Sequence, residues 1–304
     1  MEIIEIKNYR ETRFGTVVAL GNFDGVHKGH CDLIQTMTKY AKEHDLKSSL
    51  LVFDNHTKTV LTGKAPKTIT SMDQKYKIFE KLQVELIYKM KFDEEVMKLL
   101  PEQFVQEILI EKLNVKAVIV GFDYRFGHKA SGNSQLLKEI GRKNNFEVIV
   151  IDPIYIDDQL VSSTKIRELI QDGNIIEANK LLGRNYSLQG KVVPGKKLGN
   201  RLGFPTANIE PIEDYVIPKH GVYWTNTIID EKSYLSATSV GKNPTFKEDG
   251  LKIESHIIDF NQDIYGKIIQ LEFIQYLREE IKFQSLEELK NKVKEDISRV
   301  KKGY

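Results

Sequence analysis

The sequence lacks paired cysteines, long apolar runs and a surplus of charge of either sign. A single cysteine, Cys31, excludes an intrachain disulfide, and the seven histidines show no Cys/His spacing typical of structural zinc. No stretch reaches the ~20 apolar residues that a membrane-spanning helix requires. The N-terminus also lacks the basic start and apolar core of a signal peptide, so we expect a soluble, cytoplasmic protein that does not bind membranes.

Opposite charges nearly cancel, because 45 lysines and arginines face 43 aspartates and glutamates, for a formal net charge of +2. Without a basic surplus or a basic stripe interleaved with aromatics, nucleic acid is the least favoured partner. Any anion-binding site must therefore be local. At 304 residues, 40% of them hydrophobic, the chain is long enough for two domains that each bury a core.

The first part of the chain, residues 1–183, alternates short apolar runs with segments of helical periodicity. The predicted strands are "TVVAL", "SSLLVF", "ELIYKM", "KAVIVG" and "FEVIVIDPIYI", and the predicted helices include "EQFVQEILIEKL" and "SQLLKEIGRKN". This βαβ pattern predicts an α/β domain with a Rossmann-like parallel sheet covered by helices. Ligands of such sheets bind at the carboxyl ends of the strands.

The second part, residues 184–304, shows alternating runs separated by polar turns. The runs are "GVYWTNTII", "SYLSATSVG", "KIESHIIDF" and "KIIQLEFIQYL". They predict a small antiparallel β-barrel, for which we expect six strands. A C-terminal helix is predicted behind a Ser285 cap, with an apolar stripe at Leu286, Leu289, Val293, Ile297 and Val300.

The stretch "GNFDGVHKGH" (21–30) follows a predicted strand and precedes a predicted helix. Its glycines allow the backbone to approach a ligand, and a helix N-terminus offers N–H groups to a phosphate. His27 and His30 can converge on one anion, and Asp24 can hold a metal ion or a cofactor hydroxyl. A glycine-rich turn with one histidine as a cap explains the same residues, so the local pattern leaves both interpretations open.

Two further loops follow later strands of the predicted sheet. In "VGFDYRFGHKASGN" (120–133), aromatic residues and glycines can cradle a flat heterocycle, or form a buried aromatic cluster beneath a turn. In "SSTKIREL" (162–169), three hydroxyls and Arg167 can bind a triphosphate, or the hydroxyls can simply cap a helix.

Taken in order, "GNFDGVHxGH", "GxDxRFGxxxxG" and "SSTxIR" resemble the adenylyltransferase module of bacterial bifunctional riboflavin kinase/FAD synthetases, nucleotidyltransferases with HxGH as their signature. The resemblance implies that His27, His30 and Arg167 are catalytic and bind the ATP phosphates. It also implies ATP or flavin contacts from Gly21, Asn22, Phe23, Asp24, Gly29, Asp123, Phe126, Ser162, Ser163 and Thr164. One departure is "FDNHT" (53–57), where the family often has a proline-rich "FDPHP"; His56 is retained.

The string "GKVVPGKKLGNRLGFPTANIE" (190–210) is rich in glycine, which fits a flap over phosphates or a flexible hairpin. Its Phe-Pro-Thr-Ala-Asn segment can present oxygen ligands to Mg²⁺. With "GVY", "VGKNPTF", "KIESHIIDF" and "LREEIKF", it resembles the riboflavin kinase module over 184–304.

This second resemblance implies Mg²⁺ and ATP-phosphate contacts from Thr206 and Asn208, and Glu254 as the base. Contacts to ATP or the flavin are implied for Gly195, Gly203 and Pro205. Asn200 stands where the family has an arginine, and Arg201 is next to it.

The predicted function is therefore a bifunctional enzyme that converts riboflavin and ATP to FMN, then FMN and ATP to FAD, with Mg²⁺ at both sites. Two alternatives stay open. One is a nucleotidyltransferase with another acceptor, such as pantetheine phosphate or nicotinamide mononucleotide, because HxGH serves many such enzymes. The other is a non-catalytic flavin-binding regulator that retains the fold.

Overall fold

The computed structural model describes residues 1–8, 12–53, 66–195, 203–242 and 250–303. They divide into two compact units, one formed by Met1–Pro66 with Met72–Ser162 and the other by Lys67–Ser71 with Ser163–Tyr304. Three residues from the predictions, His56, Asn200 and Arg201, lie outside the described residues, as does most of "VGKNPTF".

The first unit is built on a six-stranded parallel sheet. The strands of this unit, inside and outside the sheet, are β1 (Glu2–Glu5), β2 (Thr16–Leu20), β3 (Lys47–Phe53), β4 (Leu86–Met90), β5 (Val115–Gly121), β6 (Arg125–Phe126), β7 (Gly132–Asn133), β8 (Glu147–Ile151), β9 (Tyr155–Ile156) and β10 (Gln159–Leu160). The sheet order is β1-β4-β3-β2-β5-β8, while β6 with β7 and β9 with β10 form short antiparallel pairs. The predicted parallel sheet is confirmed, and β1 is an edge strand that the sequence pattern did not indicate.

Helices cover both faces of this sheet. They are α1 (Lys28–Glu43), α2 (Met72–Lys81), α3 (Glu94–Lys98), α4 (Pro101–Gln103), a π-helix (Phe104–Ile110), α5 (Ser134–Lys143) and the 3₁₀ turns Ile6–Asn8 and His128–Ala130. One apolar core joins α1 and α2 to alternate sheet residues such as Val17 and Ala19, and a second joins the π-helix and α5 to Val18 and Leu20. The alternation follows from the period of two along a strand, which sends neighbouring residues to opposite faces. "EQFVQEILIEKL" is helical as predicted, but mostly as the π-helix.

The second unit combines two helices, a barrel and a C-terminal helix. Its elements are α6 (Ser163–Gln171), α7 (Ile175–Leu182), β11 (Tyr186–Val193), β12 (Ala207–Pro211), β13 (Gly221–Ile229), β14 (Lys232–Lys242), β15 (Leu251–Ile257), β16 (Ile268–Arg278) and α8 (Leu286–Lys302). The six strands close in the order β11-β12-β15-β14-β13-β16, and the neighbouring strands are antiparallel. The predicted six-stranded barrel is therefore confirmed.

A short segment from the N-terminal half, Lys67–Ser71, is part of this second unit. The backbone N–H of Thr68 donates to the carbonyl of Asp214, and the N–H of Val216 donates to the carbonyl of Thr68, each at 2.9 Å. On α7, the Asn179 side chain donates to the Phe273 carbonyl of β16 at 2.9 Å. Elements before residue 184 thus pack on the barrel.

Hydroxyl groups fill part of the barrel interior. Five fully buried side chains form the group: Thr225, Thr227, Ser236, Thr238 and Ser255. Thr225 Oγ1 lies 2.6 Å from Thr238 Oγ1 and 2.8 Å from Ser236 Oγ, and Thr238 donates to Ser255 at 2.9 Å. Buried hydroxyls are stable when they are paired in this way, so the network joins β13, β14 and β15 from the inside.

The C-terminal helix α8 begins where the sequence predicts, with the Ser285 hydroxyl accepting from the Glu288 N–H at 3.1 Å. The predicted apolar stripe is only partly buried. Leu286 is 68% exposed, whereas Val300 is 1% exposed and packs with Val222 and Leu277. Burial therefore increases along the helix, with Leu289, Val293 and Ile297 half-buried between the exposed first turn and Val300.

A buried ion pair also holds α8. The Asp296 side chain is 3% exposed and accepts from Arg278 Nε at 3.0 Å and from Arg278 Nη2 at 2.7 Å. Asp296→Asn is expected to destabilise the second unit by about 3–5 kcal/mol, since the Arg278 charge would stay buried without its carboxylate. Thermal unfolding followed by circular dichroism measures the change.

Glu295→Gln is the matched control for this prediction. Glu295 precedes Asp296 on α8 but is exposed and pairs with Lys292 at 2.8 Å, so its change should leave the melting temperature unaltered. Equal melting temperatures for the two variants would contradict a stabilising role of the buried pair.

Candidate active sites

The first candidate site is the loop 21–27 between β2 and α1. His27 is 7% exposed and is the N-cap of α1, with its Nδ1 accepting from the His30 N–H at 3.3 Å. The two imidazole rings stack with their centroids 3.7 Å apart and their planes 15° apart. His27 is therefore a helix cap, as one of the two interpretations of the sequence predicts, and it also lies against His30. Convergence of the two imidazoles on an anion stays a prediction.

The cap also determines which nitrogen of His27 can donate. Because Nδ1 accepts a hydrogen bond, the proton of the neutral ring is on Nε2. Among the described residues, none accepts a hydrogen bond from the N–H groups of Lys28 and Gly29 in the first turn of α1. The loop therefore combines an imidazole donor with two backbone donors at the positive end of a 16-residue helix.

Backbone geometry explains the remaining residues of this loop. Phe23 has a φ of 49°, Val26 has a φ of 37°, and both side chains are fully buried beneath the loop. Asp24 is 4% exposed, and a Cβ on Gly29 would lie 3.3 Å from the His27 ring. The buried anchors fix the loop, and the absence of a side chain at Gly29 avoids a close contact with the His27 ring.

The second predicted loop follows β5, the strand beside β2. Leu20 and Val120 are register partners, so Gly21 and Gly121 leave the sheet at the same edge. After β2, the next strands along the chain, β3 and β4, are added to the sheet on one side of β2. The strand after them, β5, lies on the other side of β2. The His27 loop and the Asp123 loop thus flank the topological switch point, where parallel sheets bind ligands.

The two residues predicted in this second loop, Asp123 and Phe126, differ in solvent exposure. Asp123 is exposed at the sheet edge, and its Oδ1 lies 3.3 Å from the position of a Cβ on Gly121. Phe126 is 6% exposed and packs in the core, with ring centroids 5.7 Å from Tyr124 and 5.8 Å from Phe104. Burial raises the pKa of Tyr124. The aromatic cluster beneath the loop is present, and a flavin contact from Phe126 stays a prediction.

The third predicted segment begins at Ser162, and α6 starts at the next residue, Ser163. Thr164 is exposed, and Arg167 is half-buried and donates through Nε to the Lys67 carbonyl at 3.0 Å. Since α6 belongs to the second compact unit, a joint action of Arg167 and the histidine loop on ATP stays a prediction.

The second candidate site is on the outside of the barrel, where β12 meets β15. Asn208 and Glu254 are directly opposite in the antiparallel register, as are Ala207 and Ser255. Side chains at such positions are about 4.5–5.5 Å apart at Cβ. Glu254 is half-buried, and its Oε2 lies 2.9 Å from Lys252 Nζ. The register thus brings a predicted metal ligand to the predicted base.

Gly195 and Gly203, both predicted to contact ATP or the flavin, are glycines for different structural reasons. A Cβ on Gly195 would lie 2.0 Å from Nδ2 of Asn208, so any side chain there would displace Asn208. Gly203 has a φ of 84° with nothing within 4 Å of a Cβ, so it serves the backbone turn before Pro205. Both support the "FPTAN" segment.

His256, which the alternation of β15 places on the same face as Glu254, makes a structural contact at this site. Its Nδ1 lies 2.9 Å from the Pro205 carbonyl, and its ring meets Phe204 edge-on with centroids 5.6 Å apart. Because His256 shares a strand face with Glu254, it holds the segment before Thr206 against the strand that carries the carboxylate. The alternation in "KIESHIIDF" predicts the shared face, whereas the contact with Pro205 depends on the fold.

A cavity of about 460 Å³ opens beside Thr206. Its lining is Val192, Pro205, Thr206, Ala207, Ser255, Ile257, Phe260, Asn261, Gln262, Asp263, Ile264 and Tyr265. Apolar and aromatic walls next to a few polar groups suit a flat heterocycle whose polar end reaches Thr206.

The oxygen donors at this site fit a hard cation. A threonine hydroxyl and an asparagine amide oxygen, at Thr206 and Asn208, are ligands that Mg²⁺ accepts when substrate phosphates and water complete its shell. In the described ranges no group of three or more His, Cys, Asp or Glu side chains could hold a metal by itself. The same part of the chain contains no helix long and apolar enough to cross a membrane.

Two known family models match this chain, one in each half. The family model described as FAD synthetase matches residues 9–165, and the model described as riboflavin kinase matches residues 182–304. A protein of Listeria monocytogenes named bifunctional riboflavin kinase/FMN adenylyltransferase is 38% identical over 94% of this chain and 91% of its own length. The chain belongs to this bifunctional family.

Other members of the family match over similar lengths. The protein of the same name from Buchnera aphidicola (Schizaphis graminum) is 36% identical over 98% of this chain and 97% of its own, and that from Escherichia coli K12 is 32% identical over 93% and 90%. A crystal structure from Streptococcus pneumoniae, described as a macrolide-efflux protein, superimposes with a TM-score of 0.90 at 33% identity, covering 99% of this chain and 98% of that one. The chain thus shares the fold of that crystal structure over nearly its whole length.

Proposed function

We propose that this chain makes FAD from riboflavin in two successive ATP-dependent reactions. The C-terminal module phosphorylates riboflavin to FMN and releases ADP, and the N-terminal module adenylylates FMN and releases pyrophosphate. One observation carries the proposal, the succession of a FAD synthetase and a riboflavin kinase family model along one chain. We assign the adenylyltransferase to residues 1–183 and the kinase to 184–304, which the matched ranges 9–165 and 182–304 support.

The kinase reaction needs a base, because the 5′-hydroxyl of riboflavin still carries its proton. We assign that role to Glu254, which is half-buried and opposite Asn208. The hydroxyl oxygen bonds to the γ-phosphorus of ATP, the bond from that phosphorus to the β,γ-bridging oxygen breaks, and the proton passes to the carboxylate. We propose that the cavity beside Thr206 takes the nucleoside of ATP, with the phosphates at the Thr206 end of the cavity.

Thr206 and Asn208 would hold Mg²⁺ together with the ATP phosphates. Bound there, the ion neutralises charge on the phosphates during transfer. The chain's own contribution is to fix both ligands. Gly195 leaves room for Asn208, and His256 holds the Pro205 carbonyl immediately before Thr206.

The adenylylation needs no base, because the FMN phosphate is ionised at neutral pH. What it needs is stabilisation of negative charge on the α-phosphate and on the departing pyrophosphate. We assign this to His27, His30 and the first-turn N–H groups of α1, with Arg167 and the hydroxyls of Ser163 and Thr164 as further donors. Asn22, Asp24 and Asp123 at the sheet edge remain proposed contacts to ATP or FMN.

Both reactions are proposed to take place in the cytoplasm, with riboflavin, FMN, FAD and ATP as the small-molecule partners. Incubation of the protein with riboflavin, ATP and Mg²⁺, followed by chromatography of the flavins, should show FMN first and then FAD. Pantetheine phosphate and nicotinamide mononucleotide should not be adenylylated. Formation of neither flavin product would overturn the proposal, and FMN without FAD would overturn its adenylyltransferase half.

A further inference from the structure

The ion pair at the proposed base involves a residue without an assigned role. Lys252 Nζ lies 2.9 Å from Glu254 Oε2, and the two residues share one face of β15 because they are two positions apart. The Lys252 side chain is 43% exposed and that of Glu254 is 27% exposed. A pair this open contributes little to folding stability, so stability does not account for the position of the ammonium.

A second carboxylate lies near the same lysine. Gly241 on β14 is the register partner of Lys252, and the Glu280 carboxylate occupies the space of a Cβ on Gly241, with Oε1 2.1 Å from that position. Glu254 is opposite the next outward-facing residue of β14, Ser239. Lys252 therefore lies on a face that carries two carboxylates, one in its own strand and one that reaches Gly241 from the segment after β16.

This face must admit further negative charge during the kinase reaction. The phosphoryl group carries negative charge while it passes between ATP and the flavin, and a carboxylate within reach of the accepting hydroxyl repels it. An ammonium 2.9 Å from that carboxylate compensates the repulsion.

We propose that Lys252 is a positioning and charge-compensating residue of the kinase reaction, and that it exchanges partners during each turnover. This inference rests on the proposed role of Glu254. Before transfer, Lys252 holds the ionised Glu254 carboxylate through Oε2. When the carboxylate takes the hydroxyl proton it becomes neutral, and the ammonium then pairs with the new 5′-phosphate of FMN. No atom is transferred to or from Lys252.

The test compares Lys252→Met, Lys252→Arg and Lys267→Met in riboflavin kinase assays. Lys267 is a matched control, because it is 42% exposed and pairs with Asp230 at 2.6 Å. Asp230 is in the β13–β14 turn, at the opposite end of β14 from Ser239, which is the register partner of Glu254. We expect Lys252→Met to lower kcat about tenfold or more with KM for riboflavin changed less than about threefold. Lys252→Arg should restore kcat to within about threefold of the parent, since the charge is retained.

Further measurements distinguish a loss of the proposed Lys252 function from misfolding and from an incorrect assignment of the base. FAD formation from added FMN should be equal in all three variants, which shows that the adenylyltransferase module is intact, and equal melting temperatures should show that the barrel is folded. Equal kcat for Lys252→Met and Lys267→Met would overturn the inference, as would failure of Lys252→Arg to restore kcat. Glu254→Gln is measured in parallel, because its retention of kinase activity would instead overturn the proposed base and leave the effect of Lys252→Met to be attributed to ATP binding.

Discussion

Glu254→Gln is expected to lower FMN formation from riboflavin by about 10²–10⁴-fold, the range typical of a lost general base. The amide keeps the volume of the carboxylate and its place opposite Asn208, so the fold of the barrel should not change. It cannot take the proton of the 5′-hydroxyl, and kcat should fall more than KM for riboflavin rises. Chromatographic quantification of FMN under steady-state conditions measures the effect.

Glu272→Gln is the matched control for this change. Glu272 is also a half-buried glutamate on a barrel strand, but it is on β16, where its register partners are Ser187 and Asn226. The control should form FMN at the parent rate, and both variants should make FAD from added FMN. Kinase activity of Glu254→Gln within about threefold of the control would exclude Glu254 as the base.

The parallel sheet was predictable because its central strands are apolar throughout. All five residues of β2 are buried, and such continuous runs occur where a sheet is covered on both faces. β1 was missed because "EIIE" is short, carries charge at both ends and lies at the sheet edge, where only one residue is half-buried. An edge strand of this kind has no pattern that separates it from a polar N-terminal segment.

The barrel was predictable from alternation, but two of its strands are in the string interpreted as a flap. Gly190 lies within β11, and a Cβ there would be 2.4 Å from Ile209 Cγ2 of the neighbouring strand. Glycine in a strand can mark such a close approach between backbones. The sequence alone, however, does not distinguish a strand glycine from a loop glycine. The buried hydroxyl network was missed for a similar reason, since serine and threonine alternate equally well on an outward face.

The sequence predicts each motif of the candidate sites separately, but it does not predict which residues of different motifs contact each other. Nothing in the sequence states that Asn208 is opposite Glu254, or that His256 reaches the Pro205 carbonyl 51 residues away, because both depend on barrel register. The stacking of His27 on His30 is local, and a spacing of three residues at a helix start suffices to predict it. Short-range geometry is thus set by spacing, whereas contacts across strands require the fold.

His30→Ala is expected to lower FAD formation from FMN by about 10²–10³-fold, the cost of one donor aimed at developing charge. His30 is in the first turn of α1, and its ring stacks on His27, so its loss removes a donor and also frees the neighbouring imidazole. FMN formation from riboflavin should continue at the parent rate because it takes place in the other module. With riboflavin and ATP supplied, the variant should therefore accumulate FMN.

The same helix offers a control at its opposite end. His44 is the C-cap of α1, is exposed, and stacks on Tyr40 with ring centroids 3.9 Å apart, as His30 stacks on His27. His44→Ala also removes a stacked imidazole from α1, yet it should leave both FMN and FAD formation unchanged, because the negative end of a helix dipole does not bind phosphate. Equal FAD formation by the two variants would show that the histidine loop is a helix cap and not the adenylylation site, whereas a loss confined to His30→Ala assigns the transfer of AMP to the edge of the parallel sheet.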